Sequence, residues 1–403
     1  MNETAETTKI TAETADGHPE AAEAAASAGL LKKIVGGRFF FPLVCLGLVL
    51  AMEIIVKAVK GEPIGGFFSI TLKNGALYGP IMDIFQLSAE RIILAVGMTL
   101  VISCSAGVDI SVGAVMALSS AVGVWLLGYG TIAQNHYHVV AYVVPYLVGL
   151  LAALAVGALC GLWNGFLVSK LKIQPMVATL ILFIAARGAA KVVAQGQKNV
   201  VDVPSFRWLG TNIQVGSFTF PVPTPILVAA AVVIVTVLVL RFTALGMNIQ
   251  AVGINNRASR IVGLKSSRII LMAFLFIGVC AGIAGFITTS RIATVDFQNT
   301  GNLIELDAIL AVALGGNSLA GGKFSIGGSV IGALTIQTLT IVLYAINVTP
   351  NSLLLYKAIV VIIIVTLQST ELKPMLGRAI DSLRRLFGSA PVPQRNVIEV
   401  SES

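Results

Sequence analysis

Long runs of apolar residues recur along this chain and limit what it can fold into. A helix needs about 20 apolar residues to cross the roughly 30 Å hydrocarbon core of a bilayer. Only 11% of the 403 residues are charged, far too few to cover a soluble domain of this size. The sequence predicts an all-α polytopic membrane protein of about ten transmembrane helices. They lie at approximately 39–56, 91–106, 110–128, 139–161, 173–190, 222–240, 268–289, 303–315, 324–346 and 353–369.

Two pairs of these segments are separated only by glycine- and serine-rich breaks. One break region reads SAGVDISVGAVMAL and the other LAGGKFSIGGSVIGAL, so Ser-Val-Gly at 111–113 matches Ser-Ile-Gly at 325–327. Transporters use discontinuous helices of this kind where they line a pathway. Chance similarity between two membrane segments rich in Gly, Ser and Ala explains the match almost as well. We expect two broken regions and take the repeat as a hint.

The lysines and arginines predict the orientation. With ten spans, the basic connections before the first span and after the fourth, sixth and tenth all fall on one side, which the positive-inside rule makes cytoplasmic. Both termini are then cytoplasmic. Four cations fall on the opposite side and conflict with the rule: Arg187, Lys191, Lys198 and Arg207. The excess of positive charge therefore indicates cytoplasmic loops rather than nucleic-acid binding.

The ends of the chain differ from its middle. Residues 1–30 are rich in Ala, Thr and Glu and have no apolar core, so we expect a disordered, acidic cytoplasmic tail. A transmembrane domain follows over 31–372, and residues 373–403 form a cytoplasmic C-terminal tail.

One connection is unusually basic. The basic segment, residues 241–268, carries Arg241, Arg257, Arg260, Lys265 and Arg268 and no Asp or Glu. Its charge fits a cytoplasmic loop after an even number of spans. Orientation requires charge alone, however, and does not require the pattern Gly-Ile-Asn-Asn-Arg-Ala-Ser at 253–259. Asn255 or Asn256 can cap a short helix there.

Five polar residues within or beside the apolar runs are candidates for a translocation pathway. Three of them are carboxylates, and a charge in the bilayer core costs at least about 2.5 kcal/mol, so each one needs a reason to be there. Asp109 either lines the pathway or caps the helix that follows it. Glu305 and Asp307 face a polar path or lie at the outer interface, where carboxylates suit a helix N-terminus. Asn164 and Asn317 either bond neighbouring helices together or line the path.

Enzymatic chemistry has little support. NSLAGGKF at 317–324 is not a phosphate-binding loop, because Asn317 and Phe324 stand where that motif needs Gly and Ser or Thr. None of the three histidines accompanies an activated Ser or Cys, and His136 and His138 lack further metal ligands. The four cysteines read as small core residues. We expect no catalytic residues, no metal and no cofactor.

Four blocks of the chain carry a resemblance. AVGMTLVISCSAGVDISVGAVMAL, GLWNGFLVSKLKIQPMVATLILFIAARGAA, TALGMNIQAVGINNRASRIVGLKSSR and ELDAILAVALGGNSLAGGKFSIGGSVIGAL occur in this order. The chain thereby resembles the permease subunits of ribose-type monosaccharide ABC importers over about residues 78–370, with the nearest likeness to galactofuranose and fructose import permeases. Its acidic N-terminal tail and its SAGVDIS break depart from that pattern.

The resemblance implies an importer in the bacterial cytoplasmic membrane. Its expected partners are a cytoplasmic tandem ATPase, a second permease (identical or related), an extracytoplasmic sugar-binding protein and membrane lipid. The basic segment would couple the permease to the ATPase through a short helix, formed by Gly253, Asn255, Arg257, Ala258, Ser259, Arg260 and Gly263. The alternative is an ion-coupled secondary sugar transporter, for which Asp109, Glu305 and Asp307 are the candidate carboxylates.

Overall fold

The computed structural model describes residues 39–368 apart from 62, 64, 74, 129–137 and 216–217. The tails expected at 1–30 and 373–403 lie outside the described residues. The described helices are α1 Phe40–Lys60, α2 Gly65–Phe68, α3 Pro80–Ser105, α4 Val112–Leu127, α5 Tyr146–Ser169, α6 Pro175–Val193, α7 Thr224–Phe242, α8 Leu245–Ile254, α9 Asn256–Ile261, α10 Ser266–Ile292, α11 Ile304–Leu314, α12 Ile326–Ala345 and α13 Leu353–Gln368. A 3-10 helix occupies Pro204–Leu209.

The described strands are very short and lie in connections. A three-stranded sheet has the order β3 (His138–Val139), β4 (Asn199–Val201) and β7 (Thr294–Val295), with β3 parallel and β7 antiparallel to β4. Two antiparallel hairpins pair β1 (Thr71–Lys73) with β2 (Ala76–Tyr78) and β5 (Gln214–Val215) with β6 (Phe218–Thr219).

Each of the ten predicted spans contains a helix, and the all-α membrane architecture is confirmed. Within the described residues, seven helices are long and apolar enough to cross a membrane: α1, α3, α5, α6, α7, α10 and α12. Two predicted boundaries are wrong. Helix α3 begins at Pro80 rather than at residue 91, because proline suits the first turn of a helix and because Glu90 and Arg91 form ion pairs inside the protein. Helix α5 runs from Tyr146 to Ser169 rather than over 139–161.

The described residues up to Asn347 form one compact unit, and α13 belongs to a second unit. Helix α10 is central to the first unit, where it packs against α3, α4 and α5. Small residues allow α5 and α10 to approach closely: a Cβ at Gly278 would lie 2.2 Å from the carbonyl oxygen of Gly157. Because lipid offers helices no hydrophobic gain on association, such close backbone packing holds membrane helices together.

The first unit has two distinct ends. The sheet end carries β3, β4 and β7. The break end carries the connections 106–111 and 315–325, where the N–H of Gly322 donates to the carbonyl oxygen of Ser103 at 3.0 Å. The α5–α6 turn also lies at the break end, since the Ser267 hydroxyl donates to the carbonyl of Ser169 at 3.1 Å. This grouping agrees with the predicted order of crossings.

The two breaks are similar in one respect. Ser111 and Ser325, which the sequence match aligns, are both the N-cap residues of the helices that follow, α4 and α12. Only Ser325 caps with its side chain, accepting the N–H of Gly328 at 3.2 Å. The four cysteines are free thiols, and Cys45, Cys104 and Cys280 are buried, as expected of small core residues.

Candidate functional site

The basic segment folds into two short helices, α8 and α9, joined at Asn255. The side-chain Oδ1 of Asn255 accepts the backbone N–H of Ala258 at 3.0 Å, so the helix cap expected here is confirmed. After α9 the chain turns at Gly263, whose φ of 86° lies in the left-handed region that glycine adopts without strain. Capping and turn together fix the position of α9.

Two residues of the predicted coupling helix face the protein itself. A Cβ at Gly253 would lie 1.7 Å from the carbonyl oxygen of Ser103, so only glycine lets α8 rest against the end of α3. Ser259 is buried, and its hydroxyl donates to the carbonyl of Ala251 at 2.8 Å, which ties α9 back onto α8. Gly253 and Ser259 therefore hold the segment in place.

The opposite face of the segment is exposed. Arg257, Ala258 and Arg260 are all accessible. Beside them Ile261 is 88% and Val262 79% exposed, a fraction far above that of most apolar residues in the unit. Ile261 and Val262 form an exposed apolar tip that sequence reasoning missed, although it named the cations. The signal in the sequence is the pair of aliphatic residues between Arg260 and Gly263. An exposed apolar tip flanked by arginines is typical of a protein-binding surface.

Asp109 and Asn164 are brought together through Ser111. The Asp109 carboxylate accepts the backbone N–H of Ser111 at 2.8 Å and its hydroxyl at 2.6 Å, and the Asn164 amide donates to the same hydroxyl at 2.9 Å. Of the two alternatives for Asp109, capping of α4 is wrong in detail, because Ser111 is the N-cap residue. Asp109 instead fixes the turn before α4 and connects that turn to α5.

Asn317 lies apart from that cluster and closes the second break. Its Nδ2 donates to the Ser329 hydroxyl at 2.8 Å, and its Oδ1 accepts the N–H of Ser325 at 2.5 Å. Ser329 in turn shares a 2.6 Å hydrogen bond with Thr99. Asn317 thereby joins the loop 315–325 to α12 and, through Ser329, to α3.

Glu305 and Asp307 lie in the first turn of α11, toward the sheet end. The Asp307 carboxylate accepts a hydrogen bond from Nε of Arg91 at 2.9 Å. Glu305 is 4% exposed, and a Cβ at Gly113 would lie 2.3 Å from its Oε2, so glycine makes room for this carboxylate. Both carboxylates are thus inside the helix packing, and neither lies at an open surface.

Sequence reasoning missed Arg91 and a second ion pair. Glu90 Oε1 lies 2.5 Å from Nη2 of Arg291, which joins α3 to α10. A span that begins at residue 91 leaves Glu90 outside it and puts Arg91 at its edge. The missed signal was the adjacent Glu-Arg pair within an apolar run. Charges inside a membrane protein are usually paired in this way.

Four cations conflict with the positive-inside rule, and two of them, Arg187 and Lys198, have partners at the sheet end. Arg187 donates to the carbonyl oxygens of Phe297 and Thr300 at 2.9 and 2.8 Å. Lys198 lies 2.8 Å from Oδ2 of Asp296. Burial raises the pKa of Asp296, but hydrogen bonds from Lys198, Asn299 and Gln298 lower it by more. The pKa of this carboxyl group therefore lies below its usual range.

The five candidate pathway residues do not converge on one site. Each is at most 8% exposed: Asp109, Asn164, Glu305, Asp307 and Asn317. Asp109 and Asn164 form one cluster, Glu305 and Asp307 share one turn, and Asn317 holds the loop at the break end. Across the described residues, no group of three or more His, Cys, Asp or Glu side chains could hold a metal ion.

Comparison with known proteins relates the chain to a transport family. The family described as the permease component of branched-chain amino acid transport systems matches residues 81–365. A galactofuranose transporter permease protein of Escherichia coli is 41% identical, covering 81% of this chain and 88% of that protein. A fructose import permease protein of Bifidobacterium longum is 38% identical, covering 74% of this chain and 80% of that protein.

A third relative is more distant. A ribose import permease protein of Escherichia coli is 34% identical, covering 72% of this chain and 86% of that protein. No solved structure matches the chain.

Proposed function

The chain belongs to the family of transport-system permease components, and we propose that it is the permease subunit of an ABC importer that carries a monosaccharide across the bacterial cytoplasmic membrane. It is a membrane transport component and not an enzyme. The import of galactofuranose, fructose and ribose by its relatives supports a monosaccharide as the cargo. ATP is hydrolysed by a separate subunit, a cytoplasmic tandem ATPase.

The observation that carries this proposal is the two-faced construction of the basic segment. Its outer face offers Arg257, Arg260 and the apolar pair Ile261 and Val262 to a partner. An acidic, apolar groove on the ATPase would pair with the arginines and cover the aliphatic side chains. Asn255 and Ala258 support the docking helix α9, and Gly263 ends it.

The inner face of the segment supports a route by which ATPase motion reaches the membrane helices. Gly253 rests on the carbonyl of Ser103, and Gly322 donates to that same carbonyl. Because these backbones touch directly, displacement of α8 acts on the end of α3 and on the loop 315–325 together. Asn317 carries the displacement to α12 through its bonds to Ser325 and Ser329.

The remaining parts follow from the same proposal. The permease works as a pair with a second copy or a related chain and receives its cargo from an extracytoplasmic sugar-binding protein. Both termini are cytoplasmic, so the break end faces the ATPase and the sheet end faces the binding protein. In another conformation of the transport cycle, the pathway passes Asp109, Asn164, Glu305, Asp307 and Asn317, whose polar side chains are buried in this one.

Reconstitution tests the proposal. Vesicles that hold the permease, its tandem ATPase and the binding protein are expected to take up radiolabelled fructose, galactofuranose or ribose only with ATP, and only when the ATPase is present. Uptake driven by a proton or sodium gradient without ATP would instead establish the ion-coupled alternative. Omission of the binding protein is the control, since it removes delivery of the cargo but leaves the ATP supply intact.

A further inference from the structure

A basic cleft of about 420 Å³ opens at the break end, between the α5–α6 turn and helix α9. The cations Lys172, Arg257 and Arg260 line it, and its lining residues include no Asp or Glu. Three positive charges that share a cleft without a carboxylate attract an anion. The volume falls within the range of about 300 to 1,000 Å³ that is usual for small-molecule sites.

Two buried polar atoms beside these cations have no hydrogen-bond partner within the part of the chain that the structure describes: the hydroxyl of Ser169 and the amide oxygen of Asn256. Both residues line the cleft, and Ser169 is only 3% exposed. Buried polar atoms are rarely left without a partner. A hydroxyl can donate to an anionic oxygen, whereas an amide oxygen needs a donor. Because both atoms expose almost no surface, their side chains must rotate toward the cleft to meet a ligand, and they then fit one that carries both an anion and a hydroxyl group.

The backbone around Lys172 supports a binding role. Lys172 has a φ of 57°, in the left-handed region that residues other than glycine seldom adopt. This residue closes the turn after α5, where the N–H of Ile173 donates to the carbonyl oxygen of Leu167 at 3.2 Å, and so it sets the shape of the turn that borders the cleft. The turn also leads into the N-terminus of α6, where Pro175 stands in the first turn and lines the cleft. Pro175 has no N–H, so the positive potential of the cleft comes from its three cations.

We propose that the basic cleft binds a phosphate ester that carries free hydroxyl groups. Lys172, Arg257 and Arg260 would hold the phosphate, the Ser169 hydroxyl would donate to it, and a ligand hydroxyl would donate to Asn256. A sugar phosphate in the cytoplasm and the glycerol-phosphate headgroup of an anionic lipid share this chemistry. A single acidic side chain from a protein partner would leave most of the cleft empty.

The position of the cleft gives binding a consequence that rests on the proposed function. Arg257 and Arg260 line the cleft and also belong to the face offered to the ATPase. A bound phosphate ester therefore competes with the ATPase for these two arginines. Its accumulation in the cytoplasm would slow ATP-driven uptake, which links import to the amount of phosphorylated sugar already inside the cell.

Calorimetry on the purified full-length permease in phosphatidylcholine nanodiscs tests the site without transport. The probes are fructose 6-phosphate, inorganic phosphate and fructose. Fructose 6-phosphate is expected to bind more tightly than inorganic phosphate, and fructose alone not to bind. Lys172→Gln should weaken fructose 6-phosphate binding about tenfold or more, since it removes a charge-assisted contact. Ser169→Ala, which changes no charge, should weaken binding too.

Lys170→Gln is the matched control, because Lys170 is exposed in the same turn, carries the same charge and does not line the cleft. Thermal unfolding midpoints establish that each variant is folded. A second measurement distinguishes a sugar phosphate from a lipid headgroup as the ligand. If phosphatidylglycerol stays bound to the permease through purification, and Lys172→Gln loses it, the cleft binds the headgroup. The proposal is overturned if neither fructose 6-phosphate nor the anionic lipid binds. It is also overturned if Lys170→Gln weakens binding as much as Lys172→Gln does. A Lys172→Gln defect confined to ATPase binding overturns it too.

The outcome is separable from the proposed function. Normal ATP-driven uptake without phosphate ester binding removes only the cleft proposal. Binding without ATP-driven uptake removes only the proposed function and the consequence drawn from it.

Discussion

Gly253 and Ser103 are in direct backbone contact: the carbonyl oxygen of Ser103 occupies the space that a side chain at Gly253 would need, 1.7 Å from the ideal Cβ. The contact joins the basic segment to the end of α3. The same carbonyl accepts the N–H of Gly322 at 3.0 Å. Three segments that are far apart in the sequence thus meet at one peptide group, and a change at Gly253 should affect all three.

Gly253→Ala is expected to displace α8 from α3 and to reduce ATP-driven uptake while the protein still inserts. Forcing a methyl group into a closed contact costs about 1 to 3 kcal/mol. Uptake and ATPase activity in proteoliposomes measure the effect. Gly188→Ala is the control, because a Cβ there meets no atom within 4 Å. Equal loss in both variants would show that the effect is not due to the Ser103 contact.

Replacing Arg257 and Arg260 together with Glu should uncouple the permease from its ATPase. The change reverses the charge of the exposed face of α9 but leaves Asn255 and Ser259, which hold the helix in place. Binding of the ATPase and stimulated ATP hydrolysis are the measurements. Arg241→Glu with Arg268→Glu changes the charge of the basic segment equally outside α9 and should retain more coupling. Normal coupling in the Arg257 and Arg260 variant would disprove the docking role.

Asp109→Asn separates a need for charge from a need for a hydrogen-bond acceptor. The amide oxygen of Asn can still accept from Ser111, so the turn before α4 should survive. We expect folding close to that of the unmodified protein and reduced uptake if the pathway uses the carboxylate. Asp109→Ala removes the acceptor as well and should lower the unfolding temperature. Unchanged uptake in Asp109→Asn would leave Asp109 a purely structural role.

Arg91→Met should destabilise the protein because it leaves the Asp307 carboxylate without its 2.9 Å partner. Removing one member of a mostly buried ion pair costs on the order of 2 to 3 kcal/mol. The double variant with Asp307→Asn should recover part of this loss, since the carboxylate charge that Arg91 balances is then absent as well. A double-mutant cycle on thermal or denaturant unfolding measures the coupling. Additive effects of the two substitutions would contradict a direct interaction.

The pair formed by Lys198 and Asp296 predicts a pH dependence of stability. The pKa of Asp296 is lowered in the folded state, so the carboxylate contributes stability above its unfolded pKa. That contribution is lost as the pH falls through the lower, folded pKa. The unfolding temperature of Asp296→Asn should therefore lie below that of the unmodified protein at neutral pH and approach it in acid. A difference that is constant with pH would contradict this assignment.

Much of the architecture was predictable from local sequence. Each of the ten predicted spans contains a helix because apolar length and composition are local properties that the bilayer requires of any crossing segment. The Asn255 cap was also predictable, since capping depends on a few neighbouring residues. The start of α3 was not, because Glu90 and Arg91 look like the end of a span until their partners Arg291 and Asp307 are known.

The sequence by itself determined the membrane fold, the basic segment and the family, because apolar runs, charge and motif order are written in consecutive residues. Only the tertiary structure decided how the candidate residues are used. Asp109 and Asn164 meet at Ser111, and Gly253 faces Ser103 rather than a partner. Such contacts join residues from distant helices, and packing geometry, which no local pattern encodes, sets which of them touch.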